Sequence, residues 1–134
     1  MTVVVDTSMA VALYDADDDH HTEASAWIAE SDDDLVVTPL VVAELDHVVP
    51  RRVIGELLRD FEVGAYVVRW WADALTETLA VARARPDIGL TDASLVALAG
   101  RLRTNRIATF DHRHFRTLND TAGRPFRLLP ADPD

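Results

Sequence analysis

The chain has no cysteine. That excludes disulfides, thiolate nucleophiles and the thiolate zinc sites. It also has no lysine: all 13 basic residues are arginine. A phosphate-binding loop of the Gly-x-x-x-x-Gly-Lys type is therefore impossible. No apolar run approaches the ~20 residues that span a bilayer. The N-terminus carries no basic stretch followed by an apolar core and a small-residue cleavage site, so a secretion signal is not expected and a cytoplasmic location is. Positive charge is scarce overall, with a formal net charge of -10. A promiscuous nucleic-acid binder is usually basic, because phosphate neutralisation supplies most of its affinity. An enzyme whose bound cations offset its own acids is still compatible with this balance.

What the chain does have is 134 residues, 49% of them hydrophobic, enough for one domain with a single core. We expect that domain to cover 1–134, with a frayed tail over 130–134. Strand and helix signals alternate. Val3–Asp6, Leu35–Val37, Ala65–Val68, Arg106–Phe110 and Phe126–Leu129 read as short strands. Helical spacing marks 8–16, 20–30, 39–49, 51–61, a stretch from Trp71 to Pro86, and 92–103. Thr38-Pro39 is a strong helix start, and Thr91 is a second candidate cap. Alternating βα units predict an α/β fold: a three-layer α/β/α sandwich around a mainly parallel sheet of about five strands. Ligands in such sheets sit beyond the carboxyl ends of the strands.

Four acids stand out against this frame. Asp6 and Asp111 each close a predicted strand, which would put them on the same rim. Glu44 falls among Val41, Leu45 and Val48, the expected inward stripe of its helix, where an unpaired carboxylate is costly. It should meet either an arginine or a metal. Asp92 opens a helix, Ala93–Ala99, that is apolar nearly all round. Each alone has an ordinary explanation, such as a strand stop, an ion pair or a dipole-favoured first turn. Brought together, they would repel one another unless a cation sat among them, which points to a divalent-metal site and phosphodiester hydrolysis. Asp87 reads as a loop acid, and the runs Asp17–Asp19 and Asp32–Asp34 as solvated segments.

The blocks Val5-Asp6-Thr7-Ser8, Pro39–Leu45, Leu90–Ala99 and Thr109–Phe115 together resemble the signature segments of PIN-domain ribonucleases, and within them the VapC toxins of bacterial toxin–antitoxin pairs. The resemblance implies a PIN-like fold, Mg²⁺- or Mn²⁺-dependent endoribonuclease activity, an RNA substrate (tRNA, rRNA or mRNA), a homodimer and a cognate antitoxin. By position it makes Asp6, Glu44, Asp92 and Asp111 the metal-binding and catalytic acids. Asp6, Asp92 and Asp111 would hold the main metal, and Glu44 would bind metal or orient water. Ser8 and Thr91 would be polar neighbours of the first and third acids. Arg51, Arg52, Arg113 and Arg116, with His112 and His114, are the candidates for RNA contact. Trp70 and Trp71 are not read as an RNA platform; Trp71 has core spacing and Trp70 could lie at a dimer face. Three alternatives differ in class: a phosphotransfer domain, disfavoured by the missing lysine; an inactive PIN-like interaction module; and an RNA-processing nuclease without a toxin role.

Overall fold

Five short strands, β1 (Thr2–Val5), β2 (Asp34–Val37), β3 (Val67–Val68), β4 (Arg106–Ala108) and β5 (Arg127–Leu129), form one sheet in the order β3-β2-β1-β4-β5. The structure is a computed structural model that describes residues 1–133. Every pairing is parallel, with Val3 opposite Leu35, Val5 opposite Ala108, Val36 opposite Val67 and Ile107 opposite Leu128. Central β1 explains its own sequence. Val3, Val4 and Val5 are fully buried, because a parallel strand covered by helices on both faces must be apolar throughout. β3, at the edge, is short and exposed.

Among the described residues seven α-helices connect the strands: α1 (Thr7–Tyr14), α2 (His21–Glu30), α3 (Pro39–Val48), α4 (Ile54–Glu62, preceded by a 3-10 turn at Arg51–Val53), α5 (Ala74–Ala84), α6 (Leu90–Leu102) and α7 (His112–Phe115). Thr38 caps α3 by accepting from the Val41 amide at 3.3 Å, with Pro39 at the first helical position, as the sequence predicts. In α6, Ala93 to Ala99 are all buried, which accounts for a helix with no polar face there. None of the helices among the described residues is long and apolar enough to cross a membrane.

Several boundaries move. The α6 helix starts at Leu90 with Gly89 as its cap, so Thr91 lies inside the first turn rather than capping it. The α5 helix begins at Ala74, and Trp71 sits in the turn before it with Arg69 and Arg101 over its ring at 5.1 and 5.5 Å. The acidic run 32–34 is not wholly solvated. Asp33 bonds the Arg106 guanidinium at 2.8 and 3.1 Å and the N-terminal ammonium at 3.2 Å. Burial pushes the Asp33 carboxyl up, but these cations hold it below its ordinary range. The expected loose tail is tied back: Asp132 takes both guanidinium nitrogens of Arg116 at 2.6 Å and accepts from the Leu128 amide at 2.8 Å. Asp134 lies outside the described residues.

Strand order decides where a site can form. From β1 the chain runs outward through β2 and β3 on one side; it returns to the other side through β4 and β5. The crevice beyond the carboxyl ends of β1 and β4 is thus the topological switch point.

Candidate active site

Asp6 follows β1 directly, and its amide donates to Ala108 O at 3.0 Å, which ties the first acid to β4. The residue is 4% exposed. Ser8 Oγ and Thr109 Oγ1 both donate to Asp6 Oδ2, each at 2.7 Å. With both protons aimed at the carboxylate, the 3.1 Å between the two hydroxyl oxygens is a contact and not a third bond. Each hydroxyl also accepts a backbone amide: Phe110 N donates to Ser8 Oγ at 3.0 Å, and Asp111 N to Thr109 Oγ1 at 2.9 Å. One small network therefore fixes Asp6, the turn after β4 and Asp111 against one another. Burial still wins over these bonds and raises the Asp6 carboxyl above its ordinary value, with the Asp111 charge adding to it.

Asp111 is not the last residue of a strand, since β4 ends at Ala108. It caps α7, accepting from the His114 amide at 3.3 Å. The short helix α7 escapes sequence periodicity because four residues make barely one turn. Its consequence is large, because it carries His114 back over the acids. His114 Nδ1 lies 3.1 Å from Asp92 Oδ2 and 3.2 Å from Asp111 Oδ2. The Asp92 contact is a hydrogen bond, and Asp111 lies within ion-pair reach of the same nitrogen. One ligand atom from each of Asp92, Asp111 and His114 falls within 4.8 Å of the others, close enough to hold a metal ion. Asp92, in the first turn of α6, is raised to about 6, first by burial and then by the charges of Asp6 and Asp111, against the opposing pull of His114.

Glu44 is half-buried and faces this group from α3. The inward stripe of α3 is Val41, Leu45 and Val49, and Val48 is half exposed. Glu44 and Val48 therefore line a cavity rather than the core. Among the described residues Glu44 has no ion-pair partner, so the arginine explanation falls away. Asp6, Glu44, Asp92 and Asp111 all line this one cavity of about 580 Å³, together with Ser8, Thr91, Asp18, His20 and Phe110. Asp6 and Glu44 stand outside the tight triplet of Asp92, Asp111 and His114.

The basic candidates do not converge in the same way, and among the described residues no arginine lines the cavity. Arg51 pairs with Asp46, Arg52 with Asp15 and Asp17, and Arg116 with Asp132. Arg113 is exposed and makes no ion pair among the described residues. The loop acid Asp87 is held by Arg85 at 2.7 Å and drawn down to about 2. Two residues of the site carried only weak sequence signals. Thr109 is a polar residue with no exposure at the end of an apolar strand, which is a readable anomaly. His114 gave none beyond its nearness to Asp111.

Carboxylates gathered at a switch-point crevice, with an imidazole beside them, make an α/β protein whose acidic cluster could hold a metal ion. The family model described as PIN domain matches residues 3–120, and the chain belongs to the PIN domain family. Ribonuclease VapC26 of Mycobacterium tuberculosis is 37% identical over 135 residues, covering 96% of this chain and all of the relative. Two solved structures share the fold. One is Mycobacterium tuberculosis VapC20, described as a Sarcin-Ricin loop cleaving toxin, with a TM-score of 0.72 and 18% identity over 83% of this chain and 91% of that one. The other is a toxin–antitoxin complex from Klebsiella pneumoniae, with a TM-score of 0.68 and 14% identity over 87% of this chain and 92% of that one.

Proposed function

We propose that the protein is a metal-dependent endoribonuclease, the toxin of a toxin–antitoxin pair, that hydrolyses RNA phosphodiester bonds. The observation that carries this reading is the convergence of Asp6, Glu44, Asp92 and Asp111 on one cavity that no arginine neutralises. The 37% identity to a named ribonuclease over nearly the whole chain supports the activity. The toxin role and a cognate antitoxin are inferred from the named relative and the toxin–antitoxin neighbour; a homodimer and a cytoplasmic setting are part of the same reading and rest on the resemblance of the signature segments alone.

The donor set fits a hard divalent cation. Carboxylate oxygens suit Mg²⁺ and Mn²⁺, and the single imidazole is compatible with Mn²⁺. Asp6, Asp92 and Asp111 would hold the ion, with Glu44 binding it or orienting the attacking water. When bound, the metal would acidify a water and stabilise charge on the phosphate. The chain's own residues do the positioning. Ser8 and Thr109 hold Oδ2 of Asp6 and keep the acid from rotating. Burial of Asp6 and Asp92 raises the cost of leaving them ionised without a counter-cation, which favours metal entry. His114 orients Asp92 through Nδ1 and stands within ion-pair reach of Asp111.

The test is cleavage of total RNA by the purified chain in Mg²⁺, in Mn²⁺ and in EDTA, beside Asp6→Asn. Discrete metal-dependent cuts that vanish in the variant are expected. Cleavage that persists in Asp6→Asn, or in EDTA, would overturn the assignment.

A further inference from the structure

We propose that the stacked pair His20–Phe110, on the wall of the acidic cavity, is the platform on which one unstacked base of a single-stranded RNA segment lies. This rests on the ribonuclease reading and deepens it by naming how the substrate is seated. The two rings are 4.2 Å apart between centroids and 7° from parallel. Both line the cavity that holds the four acids. Phe110 is partly buried against the core and covers one face of the imidazole. The His20 side chain remains 50% exposed, with Nδ1 3.9 Å from the Glu23 carboxylate at the ring edge.

The pair is also tied to the acids. The Phe110 amide donates to Ser8 Oγ, whose own proton goes to Asp6, and Asp111 is the next residue along the chain. On the other side, the His20 amide donates to Asp18 Oδ1 at 2.8 Å, and the His20 carbonyl accepts from Ala24 at the start of α2. A base on the imidazole would therefore hold its adjoining phosphate at a fixed place relative to Asp6 and Asp111. Charge makes such a contact necessary. With a net charge of -10 and, among the described residues, no arginine on the cavity wall, phosphate neutralisation by the protein contributes little there. Stacking needs no cation, and every base has a π-face to offer. A purely structural role for the pair would leave RNA handling unchanged when His20 is truncated.

The experiment measures initial rates of total-RNA cleavage against RNA concentration for the full chain, His20→Ala and His20→Phe, at two salt concentrations. His20 caps α2 without a side-chain hydrogen bond, so His20→Ala should fold, and matching melting temperatures would verify it. A stacking contact made equally before and during reaction predicts an apparent KM raised about tenfold in His20→Ala, with kcat little changed. His20→Phe should restore KM, and the salt dependence should be the same in all three forms. An unchanged KM in His20→Ala overturns the platform and leaves the ribonuclease intact. So does a fall in kcat alone, or a failure of His20→Phe to rescue together with a shallower salt dependence, which would make the imidazole a phosphate contact. If the unsubstituted chain cleaves nothing with either metal, the underlying reading fails and the platform with it.

Discussion

Asp92 is the residue whose environment speaks most plainly. Its carboxyl rises from 3.8 to about 6 because it is buried beside two other acids. A carboxyl raised on folding binds protons more tightly in the native state. Its contribution therefore favours the metal-free fold below its unfolded pKa, and is lost as pH rises through about 6. At pH 7 the ionised group therefore destabilises the metal-free fold. Asp92→Asn should accordingly stabilise the metal-free protein at pH 7, with the gain shrinking to nothing near pH 3 to 4. Urea unfolding of both forms across that range checks the sign. The same residue must be ionised to ligate a cation, so Mn²⁺ affinity should fall steeply as pH drops below about 6, which calorimetric titration would read. Thr109→Val should deepen the effect. It removes one of the two hydroxyls holding Asp6 and orphans the Asp111 amide, so the pH at which metal binding begins should move upward.

At the scale of elements, α3 and α6 are held together where the acids enter. Thr38 caps α3 and also lies 3.0 Å from Ser94 Oγ of α6, with both hydroxyls fully buried. Ser94 in turn donates to Thr91 O at 2.6 Å, one turn back. Thr38→Ala should therefore cost more than the ~1 kcal/mol of a lost helix cap, because a buried serine loses a partner as well. Denaturant unfolding would give that cost, and RNA cleavage should also fall, since Glu44 and Asp92 ride on these two helices. The paired spacing of α3 was readable from residues 38–49. The exposure of Val48 was not, because a helix of ten residues has one face on the core and another on a cavity that only the neighbouring elements create. The α7 turn shows the same limit. Nothing in His-Arg-His-Phe has a period to detect, yet that turn puts His114 between Asp92 and Asp111.

For the molecule as a whole, the concentration of negative charge in one crevice is a stored repulsion that a cation would relieve. A metal that binds only the folded state raises its stability by about 1.4 kcal/mol at tenfold excess over Kd. Mn²⁺ should raise the melting temperature at pH 7, EDTA should reverse the rise, and the shift should vanish in Asp6→Asn. A melting temperature indifferent to Mn²⁺ would count against a metal site in this cavity.

Composition and order of elements were enough to imply a parallel α/β sheet. Alternation of buried valine strands with amphipathic helices admits few other architectures. The four acids, too, could be picked out one by one, although only Glu44 sits where a carboxylate is costly and each of the other three follows an ordinary local preference. What tertiary structure alone decided is how they meet. The order β3-β2-β1-β4-β5 brings residues 6 and 111 to one switch point although 105 positions separate them. It also set which hydroxyls and which imidazole attend them, and among the described residues it left Glu44 without an arginine. Local sequence dictates periodicity and caps. The distance between two side chains far apart along the chain depends on register and packing, which no single segment encodes.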